Sequence, residues 1–135
     1  MTKERLRKYQ YIKREQEQIR QQLEDIEAAL YYPKIPHLSD MPSAPVGGNY
    51  QEDLALHHIE LQDRYRAKLE ELAAEQLAIE KAIETLESTQ RMLFRYRYLE
   101  GLKWEEVCIR LNYSWRQTHN LHGAGLKHLQ SMEDE

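Results

Sequence analysis

The chain has one cysteine, Cys108, one phenylalanine, and all four prolines confined to residues 33–45. A lone cysteine excludes an intrachain disulfide framework and a Cys-based metal site. Cys108 lies within an amphipathic helical pattern, where it reads as a small buried apolar residue, in keeping with a reducing cytoplasm. No run of about 20 apolar residues is present, so no membrane-spanning helix and no membrane partner is expected. The opening MTKERLRKYQ has no apolar signal core. A nucleophile–base pair, a Gly-rich phosphate loop and paired carboxylates are all missing, so neither enzymatic activity nor a cofactor is expected.

The 135 residues are 41% hydrophobic and 31% charged, a charge content that suits long solvent-exposed helices. Nine tyrosines supply aromatic surface that carries a hydroxyl, suited to half-buried positions. The formal net charge of −4 argues at first against nucleic acid, but its distribution is uneven. Residues 89–130 hold seven Lys/Arg (Arg91, Arg95, Arg97, Lys103, Arg110, Arg116, Lys127) against three acids, a balance of +4. Residues 33–88 hold five basic and eleven acidic residues, a balance of −6. The first fourteen residues are basic as well, six Lys/Arg against Glu4; they read as a solvated helix end, with phosphate contact as the alternative if the coiled coil brings them near DNA.

Periodicity divides the chain into an N-terminal long helix (1–31), a Pro/Gly-rich linker (32–49), a second long helix (50–88), a three-helix C-terminal unit (89–130) and an acidic tail (131–135). In the first helix, Tyr9, Ile12, Gln16, Ile19, Leu23, Ile26 and Leu30 form a heptad stripe with one polar interruption. The second helix, with Asn49 as its expected N-cap, carries His58, Leu61, Tyr65, Leu69, Leu72, Gln76, Ile79, Ile83 and Leu86. Its successive four-residue steps around Tyr65 predict a stutter. Neither helix can bury its stripe alone, so the two are expected to pair with each other, with a second chain, or with both.

Three short helices come next. The first spans Thr89–Glu100, with Met92, Leu93, Tyr96 and Leu99 on its inner face and Gly101 as its C-cap. The second spans Trp104–Leu111, with Trp104, Val107, Cys108 and Leu111 inward. A tight turn at Asn112–Tyr113 leads to Ser114, the N-cap of a third helix that runs to about Gln130 through Thr118, Leu121, His122, Leu126 and Leu129. Two helices joined by so short a turn make a helix-turn-helix, whose second helix enters the DNA major groove. Its exposed N-terminal residues are Trp115, Arg116, Gln117, His119 and Asn120. Arg can fork onto guanine, and Gln or Asn onto adenine. Arg95, Arg97, Lys103, Lys127 and the Ser114 hydroxyl are the expected phosphate contacts. Gly123 and Gly125 each weaken the third helix by about 1 kcal/mol relative to Ala. His57–His58 and the trio His119, His122, His128 lack metal-ligand spacing, so no metal is expected.

The segment RMLFRYRYLEGLKWEEVCIRLNYSWRQTHNLHGAGLKHL resembles sigma-factor region four. It is more similar still to small phage regulators of the RinA and ArpU type, in which a long-helix region precedes RYxxGLxWEEVxxxLxYSxRQ and a closing LHGxxLxxL. Lys103 departs from the pattern, standing where sigma-like sequences usually carry a Ser or Thr N-cap. The resemblance implies a DNA-binding transcriptional regulator of phage or prophage origin, an activator of late packaging and morphogenesis genes, with host RNA polymerase as a further partner. The whole is therefore expected to be all-α: two long coiled-coil-like helices followed by a C-terminal helix-turn-helix module. The expected partners are double-stranded DNA and a second copy joined through the long helices, in the cytoplasm of a bacterial host. Two other functions fit the same pattern: a small terminase subunit that recognises phage DNA for packaging, and an interaction module that binds polymerase or a repressor.

Overall fold

The computed structural model describes residues 1–31 and 50–133. The expected Pro/Gly-rich linker, Asn49 included, lies outside the described residues, as does the end of the acidic tail. Among the described residues there are five α-helices and no strand: α1 (Lys3–Tyr31), α2 (Tyr50–Glu84), α3 (Ser88–Phe94), α4 (Trp104–Leu111) and α5 (Trp115–Glu133). A π-helical turn, Arg95–Leu99, continues α3. No helix among them is long and apolar enough to cross a membrane. The chain forms two compact units, and both long helices contribute to each: one comprises Met1–Lys13 with Glu71–Glu135, the other Arg14–Glu70.

In the Arg14–Glu70 unit, α1 and α2 pair antiparallel. Ile19, Leu23 and Leu61 are buried between them, with Ile26 and Tyr65 packed alongside. The polar interruption at Gln16 is resolved locally, since its Nε2 donates to the Tyr65 hydroxyl at 3.0 Å. Lys68 reaches Glu15 at 3.2 Å and His58 reaches Glu27 at 3.2 Å, both across the helix pair. The expected stutter after Tyr65 is not present. Leu69 points to solvent (39% exposed), and the half-buried position is Lys68, three residues after Tyr65. A lysine can hold that place because its aliphatic stem covers apolar surface while its ammonium reaches the rim. Hydropathy alone selected the neighbouring leucine, which is why the heptad looked broken.

In the other unit, one cluster gathers Met1 just before α1, Leu6 and Tyr9 of α1, Ile79, Ile83 and Leu86 at and just beyond the end of α2, and Leu93, Phe94, Tyr98, Val107 and Leu129. The last turns of α2 therefore belong to the core on which the short helices pack.

The first short helix differs from its expected form in phase. Met92 is exposed (47%), while Phe94 and Tyr98 are buried with Leu93. Beyond Phe94 the helix continues as a π-helical turn, in which the Glu100 N–H donates to the Arg95 carbonyl at 2.9 Å. One extra residue in that turn rotates the later side chains about the helix axis and brings Tyr98 inward below Phe94. The turn closes as expected on Gly101, which takes φ +73 while the Leu102 N–H reaches back to the Tyr96 carbonyl at 3.0 Å. α4 begins and ends where its periodicity placed it, and Asn112 (φ 58) makes the left-handed residue that turns the chain toward α5.

Candidate nucleic-acid interface

α5 begins with a reciprocal cap. The Ser114 Oγ accepts from the Gln117 N–H at 3.1 Å, and the Gln117 Oε1 accepts from the Ser114 N–H at 3.1 Å. Two otherwise orphan N–H groups of the first turn are satisfied in this way. Thr118 adds a bond from its hydroxyl to the Ser114 carbonyl at 2.9 Å and is itself fully buried. The buried face of α5 continues through His122, Gly125 and Leu129. Its opposite face presents Arg116, Asn120, Gly123 and Lys127, all exposed and spaced i, i+4, i+7, i+11.

The helix stays unbroken through both glycines. Gly125 permits contact: a Cβ there would come within 2.5 Å of Phe94 Cε1. Gly123 has nothing near its own Cβ position, so it shapes only the open face.

The residues expected to meet DNA fall into two groups. Arg116, Asn120, Lys127, Lys103 and Arg95 are exposed, and Trp115 is 54% exposed. The remaining ones are committed within the protein. Gln117 is exposed, but its carbonyl oxygen is held in the cap. Arg97 is half-buried; its guanidinium donates to the Leu102 carbonyl at 2.9 Å and lies 4.7 Å over the Trp104 ring. His119 sits between both tryptophans of the chain, its ring centroid 4.5 Å from Trp104 and 4.3 Å from Trp115. Its Nε2 is buried without a hydrogen-bond partner among the described residues. His119 thus fastens Trp115, and with it the start of α5, to the Trp104 ring of α4.

Beneath this layer the Tyr98 hydroxyl meets His122 Nε2 at 2.5 Å, with the Phe94 ring 5.5 Å from each. Burial holds the His122 imidazole neutral, its pKa pushed down to about 4, and the nearby cations Lys3, Arg97 and Arg7 act in the same direction. The three histidines of α5 therefore diverge: His119 packs at a tilt against both indoles, His122 bonds Tyr98, and His128 is exposed.

Part of this was readable beforehand. The S-x-x-Q spacing of Ser114 and Gln117 is a capping-box signature and marks Gln117 as a cap residue. No comparable signal announces Arg97 on Trp104 or Arg110, which lies 5.6 Å over the Tyr96 ring.

A short helix, a left-handed turn and a capped second helix with an exposed polar face define a helix-turn-helix module mounted on long helices. Residues 76–129 match the family model of sigma-70 region 4, and the C-terminal module is accordingly sigma-factor-like, of a DNA-binding class. The match begins inside α2, where Ile79 and Ile83 join the module's core. Neither a curated protein nor a solved structure matches the chain.

Proposed function

We propose that the protein is a sequence-specific DNA-binding transcriptional regulator whose α5 reads the major groove with Arg116 and Asn120. The observation that carries this reading is the exposed α5 face in a module that matches sigma-70 region 4. Arg116 offers a fork to guanine and Asn120 a donor–acceptor pair to adenine. Lys103 at the start of α4, Lys127 and Arg95 supply phosphate contacts, and Trp115 packs against sugar or thymine methyl beside them. The resemblance of the C-terminal string to RinA- and ArpU-type regulators supports a phage or prophage origin, activation of late genes, and cooperation with host RNA polymerase. In this reading two copies join through the long helices. Leu56 and Ile59, one turn apart on α2 and both more than half exposed, supply apolar surface for it.

Footprinting on the DNA flanking the protein's own gene tests the proposal. The expected result is a protected site whose affinity falls steeply with salt and whose sequence preference relaxes in the Arg116→Ala variant. Absence of binding to that DNA at low salt would overturn it. A dimeric mass in solution agrees with regulation, whereas a large ring would redirect the reading to a packaging subunit.

A further inference from the structure

The basic first turns of α1 read from sequence as a solvated helix end, yet they lie against the DNA-binding module. Met1 and Leu6 are buried in the same apolar cluster as Leu129 of α5, and the Met1 amino nitrogen donates to the Leu129 carbonyl at 3.3 Å. Three turns on, Gln10 Nε2 donates to the Tyr98 carbonyl at 2.5 Å, and Lys13 Nζ to the Leu99 carbonyl at 3.3 Å. The start of α1 is thus anchored at both ends, beside the late part of α5 and beside the corner after the π-helical turn.

Between the anchors lie Lys3 and Arg7. With Gln10 they are spaced i, i+4, i+7 and share one helix face. Gln10 fixes that face toward the Tyr98–Gly101 corner; a Cβ on Gly101 would come within 2.8 Å of its Oε1. Lys3 and Arg7 are exposed, and among the described residues no carboxylate lies within ion-pair distance of either. Arg5, one position from that face, is by contrast engaged with Glu75 at 3.4 Å. Both Lys3 and Arg7 are near enough to His122 to disfavour its protonation, and Arg7 acts on Tyr98 as well. His122 is followed directly by Gly123 on the open face of α5.

Two uncompensated cations held beside a recognition helix fit the ligand that helix would bring with it, the phosphate backbone of a duplex. We infer that Lys3 and Arg7 of α1 bind backbone phosphates of the same DNA that α5 reads, so that α1 extends the interface beyond the helix-turn-helix. This rests on the DNA-binding reading of α5. Such contacts add affinity and register without base information.

The test compares the full-length protein with Lys3→Gln/Arg7→Gln by titrating its flanking DNA and an unrelated duplex across salt concentrations. Each phosphate contact contributes about 0.9 to the slope of log affinity against log salt, so the double variant is expected to lose about 2 from the wild-type slope. Both duplexes should weaken alike, leaving the ratio between them unchanged. Lys3→Arg/Arg7→Lys keeps both charges and is expected to keep the wild-type slope, and thermal unfolding should report the same fold for all three proteins. If the wild type binds and the Gln variant keeps its slope, the inference is overturned while the reading of α5 stands. It is equally overturned if the charge-preserving variant loses the slope too. If the wild type binds neither duplex, both fall together.

Discussion

The Tyr98 hydroxyl and His122 Nε2 meet at 2.5 Å under α5, tying the π-helical turn to the helix that presents Arg116 and Asn120. The phenol can donate or accept, so the direction of this bond follows the tautomer of the imidazole.

The burial of His122 makes stability depend on pH. In the folded chain His122 titrates at about 4, against an ordinary value near 6.5. Above pH 6.5 both folded and unfolded chains carry it neutral, and it contributes no pH dependence. As pH falls from 6.5 toward 4, the unfolded chain takes up a proton that the folded chain refuses, and stability is lost. The full difference corresponds to a loss on the order of 3 kcal/mol. Urea unfolding at a series of pH values should show this loss. His122→Gln should flatten the wild-type curve in that window, and an identical pH profile in the two proteins would exclude His122 as the cause.

The two glycines of α5 should respond in opposite directions to the same substitution. Gly123→Ala adds a methyl to open space and is expected to stabilise the fold by about 1 kcal/mol through helix propensity. Gly125→Ala drives its methyl into the Phe94 ring, within 2.5 Å of Cε1 in a core where Phe94 is fully buried. Overpacking of this kind costs about 1–3 kcal/mol, so Gly125→Ala should lower the thermal midpoint as Gly123→Ala raises it. Equal shifts of one sign in both variants would refute the packing argument.

Much of the fold was legible because period and punctuation agree. Gly101 and Asn112 sit at the left-handed positions, Ser114 caps α5, and α4 runs from Trp104 to Leu111 as its apolar spacing dictates. Phase was less legible. Met92 was expected inside and Phe94 went unassigned, and the π-helical turn that brings Tyr98 inward has no sequence mark. Lys68 occupies a stripe position that hydropathy gave to Leu69. At the candidate interface, charge and residue type put Arg97 and His119 beside Arg116, Asn120 and Lys127 as expected contacts, but they do not distinguish an exposed side chain from one already held. Arg97 and His119 are held by Trp104, a contact between elements that no local pattern encodes.

The cap separates two neighbouring residues of α5. Arg116→Ala removes an exposed side chain and should leave unfolding unchanged while costing about 1–3 kcal/mol of discrimination at one base position. Gln117→Ala opens the reciprocal bond to Ser114 and should cost about 1 kcal/mol of stability even without DNA, comparable to Ser114→Ala. Thermal unfolding of the three variants, measured beside their DNA titrations, checks both halves. A neutral Gln117→Ala would remove the cap from its role.

Arg97 and Lys127 provide the last contrast, between a cation the fold uses and one it leaves outward. The Arg97 guanidinium bonds the Leu102 carbonyl at 2.9 Å and covers the Trp104 ring at 4.7 Å. A lysine at that position could reach one of these partners as a point charge but could not offer a planar fork to both. Arg97→Lys is therefore expected to destabilise the module by about 1 kcal/mol, in line with the loss of one of its two contacts, the hydrogen bond or the cation–π pair. Because Trp104 also packs against His119, and His119 against Trp115, the change should alter the intrinsic fluorescence of the two tryptophans before any unfolding occurs. Lys127→Gln, on the exposed face, should leave both stability and fluorescence as they are and lower the salt slope of DNA binding by about 1. If Arg97→Lys instead reproduced the Lys127→Gln pattern, with a reduced slope and an intact fold, Arg97 would be a phosphate contact after all, and the clamp on Trp104 would have no part in holding α5 in place.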